Sequence, residues 1–213
     1  MSIPDAPLRL RHLGLADYAT TWDAMRAFTE ARTSGTPDEL WLLEHPSVFT
    51  LGQAGKEEHV LAAGAIPLLR TDRGGQVTYH GPGQLTGYCL IDLRRLNLGP
   101  RAFVEAVEDA LVDVLTGLGI PARANRDAHG VYVEGRKIAS LGMRIRKGCS
   151  YHGFSLNVDM DLEPFTRINP CGHAGLAMTQ VHDFLGERTP ALAVLGDQAA
   201  AALAARLYPR SAE

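Results

Sequence analysis

The sequence predicts an α/β (α+β) fold in which a mixed β-sheet is flanked by helices. Three observations carry that expectation: helical apolar patterns near both ends and mid-chain, short apolar runs between them, and no linker or repeat to divide the chain. At roughly 150 residues per domain, 213 residues fit one domain spanning 1–213.

Each element has its own signal. Leu8 to Leu15 opens as a strand. Tyr18, Trp22, Met25 and Phe28 follow at spacings of four, three and three, which is one face of a helix. Leu40 to Leu43, Val48 to Leu51, Ile66 to Arg70 and Gln84 to Leu93 read as strands. Pro100, a favoured first-turn residue, opens a second helix that aligns Phe103, Val104, Val107, Leu111, Val114, Leu115 and Leu118 until Gly119 and Pro121 stop it. Glu105, Glu108 and Asp113 form its polar face. Val131 to Glu134 and Lys137 to Arg146 read as a hairpin turning at Gly135-Arg136, with Tyr151 to Asp159 as the neighbouring strand. A third helix starts at Thr189-Pro190 and runs through the alanine-rich stretch to Tyr208.

Composition excludes several classes. Apolar residues at 46% and charged residues at 21% rule against disordered, collagen-like and coiled-coil chains. A net charge of −3 gives no whole-protein attraction to nucleic acid or to a membrane surface, and no run approaches the ~20 apolar residues of a membrane span. Three cysteines are too few for a disulfide framework, which favours a reducing compartment. With no basic, apolar leader pattern in Met1 to Pro7, the expectation is a cytoplasmic protein.

Chemistry concentrates in three places. Arg73 to Gln84 holds four glycines and a proline in twelve residues, so backbone can approach a ligand closely. It matches neither the dinucleotide fingerprint nor the Gly-Lys-Ser/Thr phosphate loop, and it can equally be a hairpin that only turns the chain. Among the cysteines, Cys89 lies in an apolar run, Cys149 follows Arg144, Arg146 and Lys147, and Cys171 sits in the loop Ile-Asn-Pro-Cys-Gly-His. A free thiol is only about 3% thiolate at neutral pH, so a nucleophilic cysteine needs a nearby cation or base. Cys171 and Cys149 are both candidates. The chain spends 18 of its cations on arginine and three on lysine, Lys56, Lys137 and Lys147. Arginine cannot release a proton, so Lys137 is a candidate base, or else a solvated hairpin lysine.

Other features are weaker. His80 lies in the glycine-rich segment, whereas His12, His59, His129 and His182 have no supporting context. Cys149-x-x-His152 with Cys171-x-His173 is too tight for a zinc knuckle, so no metal site is expected. Arg136, Lys137, Arg144, Arg146 and Lys147 put five cations in twelve residues without a carboxylate. That is either an ordinary solvated strand pair or a dock for an acidic partner.

Taken together, Glu44-His45-Pro46 with Thr50-Leu51-Gly52, Arg73 to Gln84, Gly135 to Gly142, Tyr151 to Asn157 and Asn169 to Gly172 resemble the lipoyl(octanoyl) transferases, block by block from about residue 40 to 180. The resemblance implies a catalytic domain like those of biotin and lipoate protein ligases. It implies transfer of octanoyl from the phosphopantetheine of acyl carrier protein to one lysine of a lipoyl domain, as in 2-oxo acid dehydrogenase complexes and the glycine cleavage H protein. No cofactor is implied beyond that carrier arm. The acyl-thioester cysteine falls on Cys171 and the lysine that tunes it on Lys137. Substrate-binding positions fall on Arg73, Gly74, Gly75, Gln76, Val77, Thr78, Tyr79 and His80, on Ser140, Leu141 and Gly142, and on Gly153, Phe154 and Ser155.

Two other readings compete. An ATP-using lipoate or biotin ligase shares the fold and an Arg-Gly-Gly segment, but forming an adenylate needs no thiol. A non-catalytic module that binds acylated carriers or lipoyl domains would make Cys171 incidental.

Overall fold

A computed structural model describes residues 8–209; Met1 to Pro7, read above for a leader, lie outside the described residues. The described residues open with β1 (Leu8–Leu15), α1 (Tyr18–Ala31) and β2 (Asp38–Glu44), and β1 pairs parallel with β2 across the helix. Asp17 starts α1 by accepting a 2.8 Å hydrogen bond from the Thr20 amide, which satisfies one of the free donors of the first turn. Next come β3 (Val48–Leu51), β4 (Leu68–Arg70), β5 (Val77–His80), β6 (Gln84–Leu90) and α2 (Pro100–Gly117). β7 (Arg123–Ala124), β8 (Val131–Val133), β9 (Arg136–Arg146), β10 (Cys149–Asn157), α3 (His182–Leu185) and α4 (Leu192–Leu207) complete the order.

Seven strands form one mixed sheet in the order β1-β2-β6-β10-β9-β8-β7, and three form a small sheet, β4-β3-β5. β2 shows why the large sheet has two covered faces. Leu40 and Leu42 join the core under α2 and α4, with Phe103, Val107, Leu111 and Leu203, while Trp41 and Leu43 join Met25, Tyr88 and Leu90 under α1. Each such side chain contributes roughly 1.5–3 kcal/mol when fully buried. A separate cluster of Phe49, Leu51, Val77, Tyr79 and Phe165 backs the small sheet. No helix of the described residues is long and apolar enough to cross a membrane.

The sheet and the flanking helices agree with the sequence, and several boundaries move. The strand expected from Ile66 begins at Leu68, that expected to reach Leu93 ends at Leu90, and the last runs Cys149–Asn157 rather than Tyr151 to Asp159. The final helix starts at Leu192, two residues past Pro190. The hairpin turns on Glu134-Gly135, not Gly135-Arg136, because these two residues take φ of 52° and 79°, the double left-handed pair that matches strand twist. Glu108 is not on a polar face: it is 0% exposed.

Candidate active site

β8 pairs with β9 only as far as Ala139, so the second half of β9 is free on that side. The glycine-rich loop takes the place, its Gly74 amide donating to the Met143 carbonyl at 3.1 Å. A Cβ on Gly142 would stand 3.0 Å from the Gly74 carbonyl oxygen, so loop and strand touch backbone to backbone. Arg73 gives the loop its shape. Its buried guanidinium donates to the Thr50 carbonyl and hydroxyl and to the carbonyls of Gly74 and Gln76, at 2.6–3.1 Å.

Between loop and sheet lies a cavity of about 400 Å³, a size usual for a small-molecule site. Its floor comes from two sequence-distant triplets that are register partners: Ser140 faces Ser155, Leu141 faces Phe154, and Gly142 faces Gly153. His80 lines one wall and donates Nδ1–H to the Gln84 side-chain oxygen at 2.8 Å. Burial, helped by His45 and Arg73, pushes the His80 pKa well below its ordinary value, so it is a neutral ring. Behind it His45 gives Nδ1–H to the Ala16 carbonyl at 2.6 Å and accepts from the Tyr88 hydroxyl at 2.7 Å; burial lowers its pKa to about 4.

Lys137 points into the cavity from the start of β9 and is 1% exposed. Its Nζ donates to the His129 carbonyl at 2.9 Å and lies 3.1 Å from Cys171 Sγ. Gly130, at φ 146°, makes room: a Cβ there would collide with Lys137 Cε and stand 3.0 Å from Nζ. Cys171 occupies the turn Pro170–Gly172 with φ 56°, a left-handed conformation that costs a non-glycine residue on the order of 1–3 kcal/mol. The stretch after that turn is bonded to the lysine's own backbone. The Lys137 amide donates to the Ala177 carbonyl and the Thr179 amide to the Lys137 carbonyl, both at 2.9 Å.

The sequence profile of the lipoyl protein ligase A/B catalytic domain matches residues 17–204. An octanoyltransferase of Cellvibrio japonicus is 58% identical over 196 residues, 92% of this chain and 91% of that protein. One from Pseudomonas syringae pv. syringae is 59% identical over 182 residues, 85% and 84% of the two. The chain belongs to the octanoyltransferase family. A crystal structure of lipoate-protein ligase A bound with ATP has the same fold, with TM-score 0.78 at 17% identity over 95% of this chain and 86% of that one.

Against that family background, fifteen of the sixteen site residues expected from the sequence line the cavity, Cys171 and Lys137 among them. Tyr79 does not. It packs in the small-sheet core with its hydroxyl 2.9 Å from Ser47 Oγ, because alternation along β5 turns it away from its neighbours Thr78 and His80. Cys149 is buried beside Arg94, and burial, then Asp92, raises its pKa; burial pushes Cys89 up to about 12. Both are poor nucleophiles.

The basic stretch is largely engaged but keeps a net positive charge, because Arg144 bonds the neutral Gln53 side chain and two of its cations share one carboxylate. Lys137 is buried, Arg136 pairs with Glu134, and Arg146 and Lys147 both pair with Glu30, a carboxylate from α1 that the local sequence does not reveal. His129, passed over in the sequence, supplies the carbonyl that holds the lysine. His152, weighed in the sequence as a metal ligand, takes φ 58°, which turns it to the same side as Tyr151 so that both bond Asp72. Although burial alone would raise it, hydrogen bonds from His152, Tyr151 and Trp22 hold Asp72 well below the carboxylate range. Among the described residues no group of three or more His, Cys, Asp or Glu is placed to hold a metal.

Proposed function

We propose that this acyltransferase moves octanoyl from the phosphopantetheine thioester of an acyl carrier protein to one lysine of a lipoyl domain, through a thioester on Cys171. The observation that carries the reading is the 3.1 Å approach of Lys137 Nζ to Cys171 Sγ inside the cavity. An ammonium so close stabilises a thiolate. The thiolate attacks the carrier-bound carbonyl, a new C–S bond forms, the carrier's C–S bond breaks, and the departing carrier thiolate takes the proton of the Lys137 ammonium and leaves as a thiol. One thioester replaces another, so this step needs no ATP, cofactor or metal. The lipoyl-domain amine then attacks, a C–N bond forms, and Cys171 departs as thiolate. Lys137, neutral at that stage, takes the proton the amine gives up.

The cavity floor of Leu141 and Phe154 suits an alkyl chain, and the glycine-rich loop closes over it. A reducing cytoplasm fits a site that depends on a free thiol. The test is intact mass spectrometry after mixing the protein with octanoyl carrier protein and no ATP. An octanoyl adduct is expected, absent in Cys171→Ala. An adduct persisting in that variant, or one formed only with ATP, overturns the reading.

A further inference from the structure

Glu108 is a carboxylate that the transfer chemistry above does not use, buried at 0% exposure on α2. Taking a carboxylate out of water costs several kcal/mol unless its lone pairs are met. Here the donors all come from one short loop ahead of β8. Glu108 Oε1 accepts from the Gly130 amide at 2.8 Å and from His129 Nδ1 at 3.1 Å, and Oε2 accepts from the Arg126 guanidinium. The loop is closed on itself by the Asn125 amide donating to the Gly130 carbonyl at 3.0 Å and by the Tyr132 hydroxyl donating to the Ala128 carbonyl at 2.7 Å.

Two of these contacts share a peptide group. The Gly130 N–H that Glu108 grips and the His129 C=O that receives Lys137 Nζ belong to the same planar unit, and they point to opposite sides of it. A carboxylate on the N–H end fixes the plane and polarises it, so the C=O end becomes a stronger acceptor. Lys137 Nζ has one bond to that oxygen and one to Cys171 Sγ, with the Tyr132 ring 5.4 Å away on a further side, so the carbonyl is the one oxygen among the described residues that directs the ammonium.

We propose that Glu108 is a positioning residue: by holding the His129–Gly130 peptide it aims the Lys137 ammonium at Cys171. It touches neither substrate nor sulfur, and it is not among the residues lining the cavity. The inference rests on the lysine–cysteine reading given above, and its test separates the two.

Glu108→Gln keeps the shape and removes the charge, and Arg126 retains its bond to Asp109. The readouts are the pH–rate profile for alkylation of Cys171, followed on its own peptide, and kcat and KM for octanoyl transfer. In Glu108→Gln the alkylation profile moves to higher pH and the rate at pH 7 falls roughly tenfold, the worth of a charge-assisted hydrogen bond made neutral. kcat falls with it, while KM for the carrier stays within about twofold because the cavity wall is untouched. In a Lys137→Met background the same substitution changes nothing further. An unchanged profile in Glu108→Gln, with Lys137→Met shifting it, overturns the role of Glu108 alone; an unchanged profile in Lys137→Met overturns the lysine–cysteine reading. Should Glu108→Gln be insoluble, Glu108→Asp keeps the charge but draws it one methylene back from the Gly130 amide. It is expected to displace the profile in the same direction, and a wild-type profile there overturns the proposal.

Discussion

Replacing Lys137 by methionine separates a catalytic lysine from a structural one. The side chain is 1% exposed, and among the described residues it has no carboxylate within ion-pair distance; its partners are the His129 carbonyl, Cys171 Sγ and the face of the Tyr132 ring. Holding an ammonium out of water costs several kcal/mol, and a hydrogen bond from a charged donor returns only about 1.5–3 kcal/mol. Methionine has similar length, fills the same space and removes the buried charge. Against that gain, the orphaned His129 carbonyl costs about 1–3 kcal/mol. These terms nearly cancel, so the unfolding free energy of Lys137→Met from urea titration should lie within about 2 kcal/mol of the parent's. Octanoyl transfer should fall by about 10²–10⁴-fold, the usual worth of a positioned acid–base group. Both quantities come from one preparation. Transfer within tenfold of the parent, or a loss of more than about 2 kcal/mol of stability, would refute the reasoning.

Two further outcomes follow from named geometry. Gly130→Ala adds a methyl against Lys137 Cε at a φ of 146°, so kcat should drop by about 10²-fold as the ammonium is displaced, and a kcat equal to the parent's at saturating carrier would sink the claim that this glycine clears the lysine's path. His45 is held near pKa 4 against an ordinary 6.5, chiefly by burial, so the unfolded chain takes up its proton first as pH falls. Its contribution is full above pH 6.5 and shrinks toward pH 4, by about 2 kcal/mol between pH 7 and 5. Unfolding free energies from urea titrations at those two pH values should differ by that amount more in the parent than in His45→Asn; identical pH dependence in the two would show that the ring is not held neutral.

The amphipathic helices were legible because their packing follows period: Phe103, Val107 and Leu111 fall on one face of α2 and are buried there. Glu108 follows the same arithmetic to the wrong answer. Nothing in the helix announces that a loop some twenty residues later brings three donors to it. The site divides the same way. Arg73 to His80 is conspicuous by composition, but its arginine spends its donors on carbonyls and a hydroxyl rather than standing free for a ligand. Cys171 and Lys137 lie 34 positions apart, and only the family resemblance joined them. The left-handed backbone of His152, and the carbonyl contributed by His129, are set by tertiary contacts and have no local signature.

The backbone ladder between Lys137 and the stretch Ala177–Thr179 has a mechanical consequence. The ladder fastens the far side of the Cys171 turn to the strand that carries the amine, and the Asn169 amide on the His59 carbonyl fastens the near side, so the sulfur sits on a loop tied at both ends. The glycine-rich loop is fastened too: Gly74 leans on Met143, Arg73 grips Thr50, and the Gln53 and Ala54 amides donate to the Arg73 and Gly75 carbonyls. The wall that receives the acyl chain and the pair that reacts with it are thereby built on one bonded frame.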